Sequence, residues 1–327
     1  MSKLVTIYGG AGFVGRYIAQ RMAKEGWRVR VATRRPNEAM FVKQDGTVGQ
    51  VEPVLCNIRD DDSVRLAMRG ADAVVNCVGL LNEVGANTFQ AVQHDGAGRV
   101  ARIATEEKVA QLVHFSAIGA DLDSDSDYAR TKGLGEADVL AGFPAAVILR
   151  PSVIFGAEDR FFNKFAAMAQ FGPVLALVGG GTKFQPVSVN DVAQAAAKGV
   201  LGQAKAGIYE LGGPDVKTLH ELADEMLATI RRRRLVLNLP FWVGSIIGGA
   251  FDFAQAITLG LFANVILTRD QVRNLRNDNI VSDNVLSLVD LGIEPVATES
   301  ILPEYLWRYR PSGQYSEIKD SAKHLKV

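Results

Sequence analysis

The chain has 327 residues, of which 48% are hydrophobic and 22% charged, so it can bury a sizeable core and is not a disordered protein. Its 36 basic and 36 acidic residues give a formal net charge of zero. This balance argues against nucleic acid as a partner, because phosphate contacts need a basic excess. The two cysteines, Cys56 and Cys77, each lie near the end of a predicted strand and are expected in the core. The cysteines and the four histidines show no metal-ligand spacing, so no metal site is predicted.

A glycine-rich turn joins the first predicted strand, residues 4–8, to the first predicted helix. Glycines at this position permit the tight turn, the close approach of a pyrophosphate and the close packing of helix on strand. Backbone N–H groups at the start of the helix then face the anion. The alternative is a glycine turn that holds no ligand. The predicted pyrophosphate contacts are Gly9, Gly12, Phe13, Val14 and Gly15.

The second predicted strand, Arg28–Thr33, ends in two arginines, Arg34 and Arg35. A site that prefers NAD usually has Asp or Glu here, which accepts hydrogen bonds from the ribose 2′-OH. No acid is present, and guanidinium groups suit a 2′-phosphate instead. The sequence therefore predicts NADP(H), with Arg34 the stronger candidate. A solvated basic turn is the alternative.

Two further strands are predicted at residues 51–56 and 71–79. Asn57 and Ile58 follow the first of them, where the corresponding residues of nucleotide-binding folds often contact adenine. Val78 and Gly79 end the second, and Gly79 would let the cofactor lie close to the backbone. A long helix is predicted next, from about residue 88 to 107.

The fifth predicted strand, residues 111–116, ends in Ser116, and a polar loop leads to a helix that begins near Tyr128. Tyr128 and Lys132 are four residues apart and so share one helix face. A nearby ammonium is expected to lower the pKa of the phenol, so that Tyr128 could act as a general acid or base while Ser116 orients a carbonyl. Alternatively, Tyr128 and Lys132 only hold the nicotinamide ribose or are ordinary helix residues.

The sixth predicted strand and its exit cover residues 145–156, and Pro151, Ser152 and Val153 are expected beside the nicotinamide. The glycine turn, Ser116, the Tyr128/Lys132 pair and residues 149–152 together resemble the short-chain dehydrogenase/reductase superfamily, in its extended and atypical branch. The resemblance spans about the first half of the chain. The expected fold class is α/β, a Rossmann-type doubly wound parallel sheet with a smaller, mainly helical C-terminal domain.

The expected domains interleave along the chain. Residues 1–155 form the NADP(H)-binding domain, to which the chain returns at about 185–202. Residues 156–184 and 203–310 form the smaller domain, and 311–327 a polar, extended tail.

A basic and apolar stretch stands out in the second half. Residues 231–234 are four arginines, and the segment from Phe241 to Leu267 carries Asp252 as its only charge. Its length nearly suits a membrane span, but Gly248, Gly249 and several polar residues interrupt it. The sequence favours apolar helices that lie on a membrane surface or dock on a protein through the Arg231–Leu267 region. Burial of these helices within the small domain is the alternative.

The second half also resembles one branch of the superfamily, the accessory subunits of respiratory complex I (NADH:ubiquinone oxidoreductase). The similar segments are residues 154–161, 171–173, 185–187, 268–270 and 291–293. The resemblance runs from Leu4 to about Tyr309. It implies NADPH held tightly as a structural cofactor, little or no turnover, and docking among other complex I subunits on the peripheral arm near the membrane and the quinone site.

Mitochondrial members of that branch carry a presequence, whereas the first strand here begins at Leu4. A bacterial version on the cytoplasmic face of the inner membrane is therefore expected, or a mature form on the mitochondrial matrix side.

Two other functions remain compatible with the residues. An NADP-dependent reductase or epimerase would use Ser116, Tyr128 and Lys132 on a small carbonyl, a nucleotide-sugar or an isoprenoid or quinone-like substrate. The retained Tyr128/Lys132 pair favours this function, whereas the apolar second half offers few groups for a sugar nucleotide. A sensor of the NADPH/NADP ratio is the third possibility, and it would hold the nucleotide weakly.

Overall fold

The computed structural model describes residues 2–258, 264, 267–315 and 321. Seven strands form the main sheet: β1 (Leu4–Tyr8), β2 (Arg28–Thr33), β3 (Val51–Leu55), β4 (Ala73–Asn76), β5 (Gln111–Phe115), β6 (Val147–Pro151) and, later in the chain, β11 (Gly207–Leu211). Six shorter or outlying strands are β7 (Ile154–Phe155), β8 (Val174–Val178), β9 (Lys183–Phe184), β10 (Val187–Ser188), β12 (Lys217–Thr218) and β13 (Leu235–Leu239).

Ten α-helices accompany the strands: α1 (Phe13–Lys24), α2 (Asp61–Met68), α3 (Asp95–Glu106), α4 (Asp127–Gly142), α5 (Phe162–Phe171), α6 (Val189–Val200), α7 (Leu219–Thr229), α8 (Phe241–Ile257), α9 (Arg269–Asn274) and α10 (Thr298–Leu306) within the part of the chain that the structure describes. A 3-10 segment covers Pro36–Asp45, and a π-helical turn, Gln90–His94, immediately precedes α3. The long helix predicted from residue 88 to 107 is thus split into a π turn and a regular helix.

The main sheet is parallel throughout, with the strand order β11-β6-β5-β4-β1-β2-β3. The direction of the strand order reverses at β1, as in doubly wound nucleotide-binding folds, and this opens a crevice beside the carboxyl ends of β1 and β4. The predicted α/β fold class is confirmed.

Both faces of the sheet are covered by helices. On one face, Ile18 and Met22 of α1 and Val192 of α6 join a fully buried cluster with the sheet. On the other, Val64 of α2 and Val100 of α3 do the same. A strand buried on both faces reads as a continuous apolar run, which is why β1 and β4 are recognisable in the sequence.

The smaller part of the protein has a core of its own. Phe162 of α5, Leu222 and Met226 of α7 and Leu302 of α10 are buried in one cluster. Three two-stranded sheets, β7 with β10, β9 with β12 and β8 with β13, surround it. Helix α7 begins with a full capping box, formed by Thr218 and Glu221.

The predicted domain assignment of residues 203–310 differs from the structure at strand β11. Strand β11, Gly207–Leu211, pairs in parallel with β6 across five residues and forms an edge of the main sheet. The segment 203–310 therefore does not belong wholly to the smaller part. The tail prediction for residues 316–320 and 322–327 falls outside the described residues, and Gly313–Tyr315 before them is a 3-10 turn, not extended chain.

Helix α8 begins the apolar stretch and spans 17 residues. Among the described residues, no helix combines the length and the hydropathy required to cross a bilayer. The predicted apolar segment at residues 259–263 and 265–266 lies outside the described residues.

Candidate functional site

The glycine turn has the conformation that the sequence predicts. Gly9 has φ +77°, a region that favours glycine, and its N–H donates to the Ala32 carbonyl at 3.0 Å. A Cβ on Gly15 would lie 2.4 Å from the Gly9 carbonyl oxygen, so no side chain fits there. Gly12 is the N-cap of α1 and brings no side-chain cap, and the first turn, which includes Phe13 and Val14, has no acid. The N-terminal N–H groups of α1 are thus suited to an anion.

Arg34 follows strand β2 and lies in the wall of a groove. It lines an open groove of about 420 Å³ together with residues from the ends of β3 and α2, namely Leu55, Cys56, Asn57, Arg59, Asp60 and Ser63. Arg35 instead makes an exposed ion pair with Glu38 at 3.2 Å. Of the two predicted arginines, only Arg34 faces the groove. Arg59 is a second guanidinium in its wall that the sequence reasoning missed.

The two residues predicted near adenine differ in their roles. Asn57 lines the groove, and its Oδ1 accepts from the Arg59 N–H at 3.2 Å. Ile58 is buried, and its side chain lies 3.3 Å from the position of a Cβ on Gly96. Ile58 is therefore a packing residue, at the border between the groove and α3.

The carboxyl ends of β4 and β5 meet the residues of α4. A Cβ on Gly79 would lie 3.7 Å from Lys132 Nζ, and Nζ donates to the Phe115 carbonyl at 3.0 Å. The side chain of Val78 lies 3.2 Å from the Cβ position of Gly9, so the glycine turn and the β4 exit are in contact. The structure thus brings Gly79 and Lys132 together beside the glycine turn.

Ser116 has a polar atom without a partner. Its hydroxyl is buried and makes no hydrogen bond within the described protein. An unsatisfied buried hydroxyl normally costs free energy, so its persistence at the end of β5 is consistent with a ligand that completes it.

The expectation that Lys132 lowers the pKa of Tyr128 is wrong for this structure. Burial raises the pKa of the Tyr128 phenol to about 12, and Phe89 packs edge-to-face on its ring with centroids 5.8 Å apart. The Lys132 ammonium donates to Phe115, and burial lowers its own pKa to about 8, although Glu136 acts in the opposite direction. Tyr128 is therefore protonated at neutral pH.

Residues 151–153 are tied to the protein rather than open to the site. The Ser152 hydroxyl lies 2.9 Å from the Asn279 carbonyl oxygen and 2.7 Å from Asn279 Oδ1. Pro151 is buried, and the Val153 carbonyl accepts from Val187 N–H at 3.0 Å. The Ser152 hydroxyl is thus already hydrogen-bonded within the protein.

A row of buried polar residues at the carboxyl end of the sheet was not predicted from the sequence. His114 Nδ1 lies 3.3 Å from Asn76 Nδ2, and burial lowers the pKa of this histidine to about 3. On the same face of the sheet, Arg150 donates to both oxygens of Glu136, at 2.8 and 2.6 Å, and lies 3.5 Å from Glu210. The alternation of apolar and polar residues at the strand ends was the available signal.

The buried ammonium of Lys132 is expected to reduce the stability of the nucleotide-free protein. Replacing Lys132 with methionine is expected to raise the free energy of unfolding of the nucleotide-free protein by about 2 kcal/mol near neutral pH, and to weaken nucleotide binding. Burial lowers the pKa of Lys132 in the folded state to about 8. Below that pH, the buried side chain is charged, and the free-energy cost of burying the ammonium lowers the stability of the wild type in full. It disappears as pH rises towards the unfolded-state pKa of about 10.4. Chemical denaturation at about pH 7 and about pH 10 measures both values, and an equal gain at the two pH values would contradict this account.

Comparisons with known proteins identify the family of this chain. A family model described as NAD dependent epimerase/dehydratase family matches residues 5–212. The mitochondrial NADH dehydrogenase (ubiquinone) 1 alpha subcomplex subunit 9 of Arabidopsis thaliana is 36% identical over 316 residues, which cover 95% of this chain and 79% of that protein. The mitochondrial NADH-ubiquinone oxidoreductase 40 kDa subunit of Neurospora crassa is 29% identical, over 95% of this chain and 80% of its own.

Other similar proteins match a shorter part of the chain or have a lower sequence identity. The ceramide reductase of Caulobacter vibrioides is 30% identical over 190 residues, which cover 58% of each chain. Among solved structures, the UDP-glucose 4-epimerase of Thermus thermophilus in complex with NAD aligns with a TM-score of 0.66 at 19% identity, over 94% of this chain and 99% of that one. At that identity the alignment shows a shared fold. The chain therefore belongs to the NAD dependent epimerase/dehydratase family, in the group that includes the alpha subcomplex subunit 9 proteins of NADH dehydrogenase.

Proposed function

We propose that this protein is an accessory subunit of respiratory complex I that holds NADPH as a retained structural cofactor. The observation that carries the proposal is the extent of the similarity. The complex I relative from Arabidopsis thaliana matches over 95% of the chain, well beyond the family domain that ends at residue 212, whereas the ceramide reductase matches over 58%. The match to the complex I relative therefore extends into the segment after residue 212, which contains α8 and α9.

The residues for NADPH are those that the structure brings to the crevice. The α1 N-terminus at Gly12 would receive the pyrophosphate, and Arg34 would pair with the 2′-phosphate. Gly79 and Lys132 lie together where the nicotinamide ribose would fit. A ligand at ~1,000 times its dissociation constant adds about 4 kcal/mol to the stability of the fold.

Helix α8 offers the surface for docking. Trp242, Ile246, Phe253 and Ile257 are exposed by 66%, 62%, 67% and 65%, and their spacing places them on one side of the helix, here named the outer face of α8. Large apolar side chains on one face of a soluble domain indicate a contact with another protein or a membrane. We place this face against the peripheral arm of complex I, next to the membrane.

The arginine run contributes less to docking than its sequence suggests. Arg232 donates to the Tyr309 carbonyl at 2.9 Å, and Arg234 donates to the Ala169 carbonyl at 2.8 Å. Two of the four arginines therefore bind backbone carbonyls within the protein. The apolar face of α8 is the main determinant of docking in this proposal.

Little or no turnover is proposed. With its pKa near 12, the Tyr128 phenol can donate a proton but is not poised to accept one. Bound NADPH would supply the hydride if a substrate carbonyl reached the site. The free hydroxyl of Ser116 favours a second candidate, a reductase of an apolar carbonyl compound, in which Ser116 donates to the carbonyl oxygen and Tyr128 gives it a proton.

The test is to solubilise native membranes gently and follow this chain by blue-native electrophoresis. The expected result is co-migration with NADH:quinone reductase activity and release of near-stoichiometric NADPH on acid denaturation. A chain that migrates alone and loses its nucleotide readily would reject the subunit proposal. The Tyr128→Phe variant would then be assayed on apolar carbonyl substrates.

The outer face of α8 is tested by two substitutions. Trp242→Ser together with Phe253→Ser is expected to abolish co-migration with the complex while the monomer keeps its fold, because both side chains are exposed. Leu66→Ser, at a 66% exposed leucine on α2, is the matched control and should co-migrate normally. Co-migration of the double variant at the level of the control would show that another surface docks.

A further inference from the structure

Helix α9 reaches across to the helix that carries Tyr128. The Asp270 carboxylate accepts from the Ser126 hydroxyl at 2.9 Å, from the Asp127 N–H at 2.8 Å and from the Tyr128 N–H at 3.2 Å. These groups form the first turn of α4, where a negative charge is stabilised by unpaired N–H groups and the helix dipole. A carboxylate from the smaller part of the protein thus fixes the start of α4.

Helices α8 and α9 also donate hydrogen bonds to the loop that follows β4. Gln255 of α8 donates to the Glu83 carbonyl at 3.0 Å, and Gln271 of α9 donates to Asn82 Oδ1 at 3.1 Å. Both acceptors lie in the loop that follows β4 and begins beside Gly79. Within that loop, Glu83 Oε1 accepts from the Phe89 N–H at 2.6 Å.

Phe89 links the loop after β4 to helix α4, because its ring packs on Tyr128. The loop after β4 and the start of α4 are therefore joined to each other and to the α8–α9 segment.

Helices α8 and α9 are in direct contact with each other. Asp252 of α8 accepts from the Arg269 N–H at 3.0 Å. A Cβ on Gly248 would lie 3.0 Å from the Arg269 backbone nitrogen, so the two backbones are in direct contact. A displacement of the outer face of α8 would therefore be transmitted to Asp270.

We propose that nucleotide binding and docking on the outer face of α8 are thermodynamically coupled, and that Asp270 carries the coupling. The proposal rests on the function proposed above and adds its regulation. NADPH bound against Gly79, Tyr128 and Lys132 orders the loop after β4 and the first turn of α4, and the contacts of Asp270, Gln255 and Gln271 pass this order to α8. By linkage, a partner bound on α8 raises the affinity for the nucleotide by the same factor as the nucleotide raises the affinity for the partner.

Asp270 is a positioning residue, and its removal leaves both helices capped. Helix α9 has its own capping box, formed by Thr268 and Gln271. Helix α4 retains Ser126, whose hydroxyl accepts from the Ala129 N–H at 3.3 Å. The Asp270→Asn and Asp270→Ala variants are therefore expected to fold.

The experiment is amide hydrogen exchange on the full chain, with and without saturating NADPH, together with calorimetric titration of NADPH. In the wild type, NADPH is expected to slow exchange in the glycine turn and also in peptides from residues 241–257 and 269–274. In Asp270→Asn and Asp270→Ala, NADPH still protects the glycine turn and binds about tenfold more weakly, while protection of α8 and α9 is lost. Asp283→Asn, at an exposed aspartate outside these contacts, is the control and should behave as the wild type.

Two results would overturn the coupling. In one, NADPH protects the glycine turn of the wild type but leaves α8 and α9 unchanged. In the other, both Asp270 variants keep the full protection of α8 and α9. Failure of NADPH to bind the wild type at all would reject the proposed cofactor and the coupling together, and calorimetry separates that outcome from the first two.

Discussion

Replacing Arg34 with aspartate is expected to weaken NADPH binding about a hundredfold and to leave NADH binding unchanged or improved. The guanidinium lies in the groove at the end of β2, where it would form a charge-assisted hydrogen bond with the 2′-phosphate. Such a bond contributes about 1.5–3 kcal/mol, and a carboxylate at the same place would repel the phosphate. The carboxylate would instead accept a hydrogen bond from the 2′-OH of NADH. Calorimetric titration of the variant with the two nucleotides measures the change.

Arg35→Asp is the matched control for this prediction. Arg35 has the same charge and the neighbouring position, but it pairs with Glu38 on the exposed surface, so its replacement should change NADPH affinity only slightly. Equal losses in the two variants would mean that the 2′-phosphate is attracted by the general basic charge of the turn. A loss confined to Arg35→Asp would place the phosphate on the other side of the strand end.

Replacing Arg150 with methionine is expected to lower the free energy of unfolding by about 3–5 kcal/mol. Arg150 lies between Glu136 and Glu210, whose side chains are almost fully buried, and the variant removes the guanidinium that both carboxylates share. A buried, unpaired carboxylate has a raised pKa, so the folded variant takes up protons more readily than the unfolded chain. The loss of stability should therefore be larger at about pH 8 than at about pH 5. Urea denaturation at the two pH values measures it.

The double variant Arg150→Met with Glu136→Gln separates charge from packing. If the loss arises from unpaired charge, the second substitution should recover part of the stability, because one of the two carboxylates is gone. A double variant that is less stable by the sum of the two single losses would show that the methylene groups of Arg150, and not its charge, hold the strand ends together.

The main sheet could be predicted because its strands carry a strong local signal. The apolar runs of β1 and β4 and the glycine turn between β1 and α1 determine their own local structure, and parallel order follows from the alternation of strands and helices. The position of strand β11 at the edge of the sheet was not predicted. Its pairing with β6 depends on residues about 60 positions apart, and no local pattern reports such a pairing.

The parts of the candidate site that depend on a single residue type could be predicted from the sequence. Gly9, Gly15 and Arg34 act through a backbone conformation or a charge that the sequence states directly. The ionisation of Tyr128 was not predictable, because it depends on the burial of the phenol and on the direction of the Lys132 ammonium. Asp270 was noticed only as part of a motif, since its contacts with Ser126 and Tyr128 span more than 140 positions of the chain.

The late arrival of β11 has a consequence for the protein during its synthesis. Strand β6 leaves the ribosome with one of its two hydrogen-bonding edges unpaired, since β11 follows only after the β7–α6 segment. At ~5–20 residues per second, about 60 residues take roughly 3–12 s to translate. For this interval the nascent chain exposes an apolar strand edge, Val147–Pro151, that can pair with another nascent copy. We therefore expect that slowing translation between β6 and β11 increases aggregation of the nascent chain, because the edge of β6 stays unpaired for longer.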